Sequence, residues 1–574
     1  MKRRARVQTT LNGREGSLAP RTPRSYGGVR TTERFGCSMQ SAAGTRAEYG
    51  TSEPWARRDV LKALGLGVMA GALDACRVAP SRPLPGCAGP GPSPHRHLDA
   101  HIHIFNGTDL QIAGFLREAV APEYPSVARL IGLIAEPLQT FVWAVSPQAI
   151  PELEHLNGLA TASGVRSFAE TTFAKAFERD RAQTGAQYSE FLRQQFQRDD
   201  VRSELSRLVA EQQARGAARG VPRSFGAPRD ASSARSLARE VDLASGIPFF
   251  DYLEPYFSYR YANFFEAADQ FTCHGRPTID SFVALLVDFD EPLAPGKETP
   301  SRISDQAVVV SRICQLSQGR LLALAPYCPI KDVARQGASL KNVLAAWARP
   351  GFVGAKLYPP MGFKAYGNGD ARDGALARFY HECIVHDAVV MAHAGPSLCV
   401  HSGPCTEPGF EGWSAALEHV FAKEKAPLRA ALGHFGDVLG SKPESVIWPE
   451  AFQGLMQRPS GQHLYADLSY ASETLKSSND QKVIDRLSGL IKSPGSVLAE
   501  RLMYGSDWLM LGLESKWRDY STRMESVIRR VESATGTHGF EDRFFGGNAR
   551  AWLGLDQVDS LASKSLTALS TGGP

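Results

Sequence analysis

The chain has 574 residues, of which 43% are hydrophobic, 22% charged and 9% aromatic, a composition that excludes a collagen-like, largely disordered or multi-span membrane protein. At about 150 residues per domain, the length allows three to four domains or one large domain with insertions. The formal charge of +4 is unevenly placed: residues 1–58 hold 12 Lys/Arg against 4 Asp/Glu, residues 59–96 hold four against two, and the remainder is net −6. The basic excess belongs to the leader, so nucleic acid is not the expected partner. Nine cysteines, at 37, 76, 87, 273, 314, 328, 383, 399 and 405, show no C-x-x-C spacing and make no disulfide framework.

Residues 1–56 lack apolar periodicity and read as a disordered N-terminal extension, within which Met39 is an alternative start. In residues 57–76, Arg57-Arg58-Asp59-Val60-Leu61-Lys62 precedes the apolar run Ala63 to Leu73. As a helix that run spans about 16 Å, too short for a bilayer but suited to the apolar region of an export signal. A short buried helix is the alternative. The order R-R-x-x-L-K resembles a twin-arginine signal, which implies export in the folded state to the periplasm or cell envelope, and a cytoplasmic location if the leader is not functional. Leu73-Asp74-Ala75-Cys76 is similar to a lipoprotein box with Asp74 out of place, which leaves a lipid anchor at Cys76 open. Residues 77–96 hold six Pro and three Gly, the composition of an extended linker.

From residue 97 onward, eight short apolar runs alternate with amphipathic stretches, the pattern of parallel strands joined by helices. The runs are His97–Ile104, Phe282–Asp290, Arg320–Pro329, Phe352–Pro360, Ala388–Pro396, Arg429–Asp437, Leu464–Ala471 and Arg501–Leu509. Helical patterns occupy Ile330–Ala348, Ala371–His386, Ser414–Lys425 and Asp519–Val531. The α/β class follows, and eight such units most simply close into a (β/α)8 TIM barrel over residues 97–555. Residues 105–281 are too long for one crossover and form a mainly helical insertion after strand 1. They serve either as a roof over the catalytic face or as an oligomerisation module. Residues 556–574 read as a disordered Ser/Gly-rich tail.

Period-two geometry in Leu98-Asp99-Ala100-His101-Ile102-His103-Ile104 puts Asp99, His101 and His103 on one strand face, where two imidazoles can share a cation. Alone, H-x-H is a weak signal, because two surface histidines have the same spacing. Later runs end in the same kind of residue: His393 in Met391-Ala392-His393-Ala394-Gly395, His434 in Gly433-His434-Phe435-Gly436 and Asp507 in Gly505-Ser506-Asp507-Trp508. Any one of these is more simply a buried, satisfied core residue, but barrel closure would gather the set over one mouth. Imidazole with carboxylate suits Zn²⁺, Mn²⁺ or Fe²⁺. No G-x-S-x-G, Walker loop or dinucleotide fingerprint is present.

H-x-H on strand 1, Lys356 on strand 4, His393 on strand 5, His434 on strand 6 and Asp507 on strand 8 resemble the amidohydrolase superfamily. The D-x-H-x-H opening, Gly354-Ala355-Lys356-Leu357-Tyr358-Pro359, the M-A-H-A-G and Y-G-S-D-W strings and the closing Gly547-Asn548-Ala549-Arg550-Ala551-Trp552 resemble its amidohydrolase-related (amidohydrolase-2) branch. The resemblance implies one divalent metal, Zn²⁺ before Mn²⁺ or Fe²⁺, held by His101, His103, His393 and Asp507. It implies His434 at the substrate or attacking water, with Asp99 an added ligand or the acceptor that orients a histidine. Lys356 has three readings: a carbamylated bridge between two metals, an ammonium for a substrate carboxylate, or a structural ion pair. Tyr358 and Trp508 are expected at the substrate, although barrel packing accounts for them equally well.

The implied reaction is hydrolysis of an amide, ester or lactone carbonyl by a metal-activated water, with Asp507 as proton acceptor and then donor. The same branch includes metal-dependent decarboxylases and hydratases, and a metal-binding pseudoenzyme without turnover is a third reading. A small-molecule substrate, no membrane span and a homo-oligomer complete the expectations. Cys399 and Cys405 bracket His401 in the loop after strand 5, as a disulfide, a second metal site or plain loop chemistry.

Overall fold

The computed structural model describes residues 95–571 apart from 164–170, 215–226, 246–247, 273–278, 401–403 and 441. The N-terminal extension, the signal-like segment, Cys76, all but the end of the linker and His401 therefore lie outside the described residues.

All eight expected runs contain a strand: β1 (Leu98–Ile102), β2 (Ser281–Leu285), β3 (Leu321–Tyr327), β4 (Phe352–Leu357), β5 (Val389–His393), β6 (Ala430–Gly433), β7 (Leu464–Asp467) and β8 (Leu502–Met503). Each pairs in parallel with the next in chain order. The ring closes where Ala100 N donates to Tyr504 O (3.1 Å), Asp507 N to His101 O (2.8 Å) and His103 N to Trp508 O (3.1 Å). Every strand residue is buried, which is why the strands read as unbroken apolar runs rather than alternating ones. The runs overshoot the strands at their C-terminal ends. After β8 the chain leaves the ladder where Asp507 (φ 55°) and Leu509 (φ 86°) adopt left-handed backbone, a conformation that side chains disfavour and that clusters at functional sites.

Helices α1 (Ala128–Val145), α2 (Ala149–Ser163), α3 (Thr171–Phe196), α4 (Asp199–Ala214), α5 (Ala231–Ser245) and α6 (Arg260–Thr272) belong to the insertion after β1. Apolar α1 is not left bare: Leu130, Ile131, Ile134, Leu138 and Val142 are packed in the core. The insertion is tied down by Arg260, 1% exposed, whose guanidinium pairs with Asp109 and, at 2.7 Å, with Glu152. A buried arginine needs such partners because an unpaired charge there would be costly.

Around the barrel lie α7 (Ile303–Leu316), α8 (Ala338–Trp347), α9 (Ala371–His386), α10 (Phe410–Glu424), α11 (Pro443–Met456), α12 (Asp480–Lys492) and α13 (Tyr520–Thr535). The single helix expected over Ile330–Ala348 is broken: Pro329–Ala334 ends before Gly337 (φ 85°), and α8 begins after it. The tail differs from expectation as well, since Leu561–Ser570 forms helix α14, capped where the Ser560 side chain accepts from Ser563 N. Ala562 joins Trp552 and Leu553 in plugging the lower end of the barrel against Leu98, Val283, Leu322 and Met391. Ser565 Oγ accepts from Gly351 N at 2.6 Å. The Ser-rich composition concealed Leu561, Ala562, Ser565 and Leu569 at helical spacing.

Candidate metal centre

β1 carries His101 and leads directly into His103, and its register decides which way they face. Asp99 pairs with Phe282 and Ile102 with Ala284, so three steps on β1 match two on β2. This bulge reverses the alternation between the two pairs. Ile102, Phe282 and Ala284 pack outward against the helices, so Asp99 takes the outward face while His101 and His103 point into the barrel mouth. The expectation that Asp99 shares their face is therefore corrected. Its Oδ1 accepts from His101 N (3.1 Å) and Ser506 N (3.0 Å), pinning the bulge and the loop after β8. Burial raises its carboxyl to about 7.

The acceptor that orients His101 is Asp467, at the end of β7, which the sequence reading passed over. Its Oδ2 lies 2.9 Å from His101 Nδ1. Its Oδ1 accepts from His434 N and Ser469 N, both at 2.9 Å, and from the Ser469 hydroxyl. Asp467 and Ser469 close the run Leu464–Ala471 as His393 closes its own, so the rule that selected His393 also selects them. Burial opposes ionisation of Asp467, but His101 and Ser469 outweigh it and hold the carboxyl well below its usual range. Room for the ring comes from two glycines. A Cβ on Gly433 would lie 3.0 Å from His101 Cε1, and one on Gly505 would lie 2.9 Å from His101 Cβ and 3.0 Å from Ser469 Cβ.

Carboxylate and carbonyl oxygens only accept, so these contacts assign the tautomers. Burial, then Lys356, lowers His101 to about 3, so the ring is neutral and its one proton faces Asp467. His103 Nδ1 lies 2.9 Å from Leu285 O, an acceptor that keeps a proton on Nδ1 and turns Nε2 toward the cleft. Asp507 Oδ1 is 3.2 Å from His103 Nε2 and 3.6 Å from His101 Nε2. It has no hydrogen-bond partner among the described residues. Burial opposes its ionisation too, yet His103 and His101 hold Asp507 at about 2. Two imidazole nitrogens and one carboxylate oxygen thus converge, and what holds Asp507 low is positive charge on their side of it, a proton on the rings or a divalent cation in its place. A divalent cation satisfies that arrangement, and the donor chemistry fits Zn²⁺, Mn²⁺ or Fe²⁺.

Lys356, 2% exposed, brings Nζ to 3.5 Å from His101 Nε2, and burial lowers it to about 8. His393 stands apart from the three donors and faces His434, with Nδ1 3.1 Å from His434 Nε2. His434 Nδ1 is 3.1 Å from Ser469 O, so in the neutral pair His434 keeps its proton there and accepts from His393. Trp508 turns away: its indole donates to Asn263 O (3.3 Å) and the ring packs on Trp517. Tyr358 rests on His393, ring centroids 4.9 Å apart.

Beside the donor set opens a cleft of about 270 Å³, whose walls include His393, His434, Ser469 and Asp507. Lys356 and Tyr358 line a separate hollow of about 10 Å³. The insertion reaches the cleft through Glu123 and Tyr124. Glu123 accepts from Leu398 N (3.2 Å) and Lys442 Nζ (3.0 Å), and the Tyr124 hydroxyl bonds that of Tyr470. Of the two roles open to residues 105–281, roof or oligomerisation module, Glu123 and Tyr124 at the cleft wall accord with the first. In the loop after β5, Cys399 and Cys405 form a disulfide.

No curated protein sequence matches the chain. Among solved structures, a zinc-bound amidohydrolase from Burkholderia multivorans is similar at 14% identity and a TM-score of 0.33, over 48% of this chain and 84% of that one. A 2,6-dihydroxybenzoate decarboxylase from Rhizobium is similar at 16% identity and 0.31, over 51% and 92%. Likenesses of that extent carry no argument about chemistry. Residues 332–555, which hold β4 to β8, match the Amidohydrolase family profile. That match falls on a (β/α)8 barrel whose C-terminal face gathers His101, His103 and Asp507, and over residues 332–555 the chain is similar to the amidohydrolase-related superfamily.

Proposed function

We propose that the protein is a metal-dependent hydrolase of amide, ester or lactone carbonyls, with zinc as the resident ion. The observation that carries this reading is the convergence of His101 Nε2, His103 Nε2 and Asp507 Oδ1 beside a substrate-sized cleft. When bound, the cation supplies Lewis acidity, lowering the pKa of water and polarising a carbonyl.

The chain's own groups divide the remaining work. Asp507, ionised across the physiological range, takes the proton of the attacking water on its carboxylate. Lys356 Nζ is the cation nearest the donor set, and its ammonium stabilises the developing oxyanion. In the neutral His393–His434 pair, His434 Nε2 is occupied by the proton of His393 Nδ1. With its other nitrogen turned to Ser469 O, His434 has no proton free for an oxyanion, so Asp507 returns the proton it took from water to the leaving group. Asp467 keeps the His101 proton on Nδ1. The twin-arginine-like leader supports export, which agrees with an intact 399–405 disulfide.

The test compares purified protein with a His101→Ala/His103→Ala variant for bound metal and for turnover of ester, lactone and amide panels. About one metal per chain, lost in the variant together with turnover, is expected. A metal-loaded protein inert on all three panels would overturn the hydrolytic reading. Two metals per chain would make Lys356 a carbamylated bridge.

A further inference from the structure

The walls of the cleft are acidic. Outside the donor set they carry Glu123, Asp437, Glu473 and Glu514 against a single amine, Lys442. That amine is already committed: Nζ lies 3.0 Å from both Glu123 oxygens and 2.7 Å from Pro396 O. Asp437, Glu473 and Glu514 remain, all half-buried and without an ion pair among the described residues. Asp437 accepts from Ser445 Oγ at 3.1 Å and Glu514 from the Tyr470 hydroxyl at 2.9 Å. These are neutral donors that leave both charges uncompensated.

The strain among these groups is visible in their ionisation. Burial, then Glu473, pushes Asp437 up to about 7, despite Ser445 and Lys442. Burial, then Glu514, raises Glu473 as well, against the opposing charges of Lys476 and Lys482. Grouped carboxylates that no cation pairs directly destabilise a fold unless something positive comes to them. The same cleft reaches the donor set, with Asp507, 5% exposed, at its floor. A divalent ion at His101, His103 and Asp507 would make the floor favour a carbonyl oxygen, whereas the walls favour a positive charge.

We infer that the substrate is an organic cation, a carbonyl compound bearing an ammonium or guanidinium group, held with its carbonyl at His101, His103 and Asp507 and its charge against Asp437, Glu473 and Glu514. The inference rests on the hydrolase reading only for which bond breaks. Tyr124 and Tyr470, joined by their hydroxyls beside Glu514, add apolar wall for the body of such a molecule. An anionic substrate, as a decarboxylase requires, would meet repulsion from these same walls.

The test is calorimetric binding to the full-length, metal-stripped protein at pH 8, above the value of about 7 to which Asp437 is raised. Three amides of matched shape serve as probes: 4-(aminomethyl)benzamide, 4-methylbenzamide and 4-(carboxymethyl)benzamide. The cationic probe should bind about tenfold tighter than the neutral one, by a margin that shrinks as salt screens the walls, and the anionic probe weakest. Glu473→Gln/Glu514→Gln should bring the cationic and neutral probes within about twofold. If that variant does not fold, Asp437→Asn and the salt series on the native protein make the same comparison. Equal binding of the three probes, or a cation preference that survives the substitutions and high salt, would overturn the inference. So would displacement of the probe by calcium but not by tetramethylammonium, which marks an inorganic cation site. Turnover by metal-loaded protein separates the two readings. Hydrolysis without charge preference removes this inference alone, and charge-selective binding without hydrolysis removes the hydrolase alone.

Discussion

Replacing Asp467 by Asn tests the tautomer argument on which the donor set depends. Oδ1 of Asp467 accepts from His434 N, Ser469 N and the Ser469 hydroxyl, while Oδ2 faces His101 Nδ1. Three donors hold the amide oxygen of an asparagine at the Oδ1 position, so its NH₂ must take the Oδ2 position and point at Nδ1. A donor there drives the His101 proton to Nε2, where it blocks the lone pair aimed at the metal. Ser469 Oγ, 3.0 Å from Nδ1, offers only a neutral acceptor in compensation. A charge-assisted hydrogen bond of this kind is worth about 1.5–3 kcal/mol, so metal affinity should fall about 10–100-fold, the range typical of lost outer ligand contacts. Chelator competition measures the affinity, and long-range ¹H–¹⁵N correlations of the histidine rings report the tautomer. An Asp467→Asn protein that binds metal as tightly as the parent, with His101 still protonated on Nδ1, would refute the reasoning.

Gly505→Ala places a methyl 2.9 Å from His101 Cβ and 3.0 Å from Ser469 Cβ. Neither neighbour has a flexible end to yield, so urea denaturation should show a loss of about 1–3 kcal/mol, and an unchanged midpoint would show that the site can relax. Asp437, raised to about 7 in the folded chain, makes the native state hold a proton that the unfolded chain releases near pH 4. Its charge thus destabilises the fold progressively as pH rises from about 4 to 7 and fully above that. Asp437→Asn should gain thermal stability over the parent at pH 8 and none at pH 4; a constant difference at both would contradict this. The Cys399–Cys405 bridge should leave both thiols unreactive toward alkylation until reduced, with about 2 kcal/mol of stability lost on reduction. Alkylation of either cysteine in unreduced, folded protein from an oxidising compartment would disprove it.

Much of this architecture is local and was therefore legible in the chain itself. Eight strands announced themselves as buried apolar runs, because a strand covered on both faces must be apolar throughout. Helix α9 spans Ala371–His386, as its apolar spacing predicts. His101, His103, His393, His434 and Asp507 could be picked out because polar residues at strand ends interrupt that apolar pattern. Asp467 obeys the same rule and was overlooked, although Leu464–Ala471 was recognised as a strand.

What the chain could not reveal depends on register and on distant partners. Asp99 lies two residues from His101, and only pairing with β2 exposes the bulge that turns it outward. His393 and His434 sit 41 residues apart and are equally plausible ligands in sequence; their side chains meet each other, at 3.1 Å, only in the closed barrel. Trp508 stands next to Asp507 but is claimed by Asn263 of the insertion. The acidic wall is assembled from α6-independent pieces of chain: Glu123 before α1, Asp437 after β6, Glu473 after β7 and Glu514 after β8. Hydrophobic periodicity belongs to neighbouring residues and survives in sequence, so the sequence alone determined the barrel and most of its polar strand ends. Side-chain direction and charge neighbourhood depend on contacts across hundreds of residues, so tertiary structure alone decided the tautomers, the donor set and the sign of the cleft.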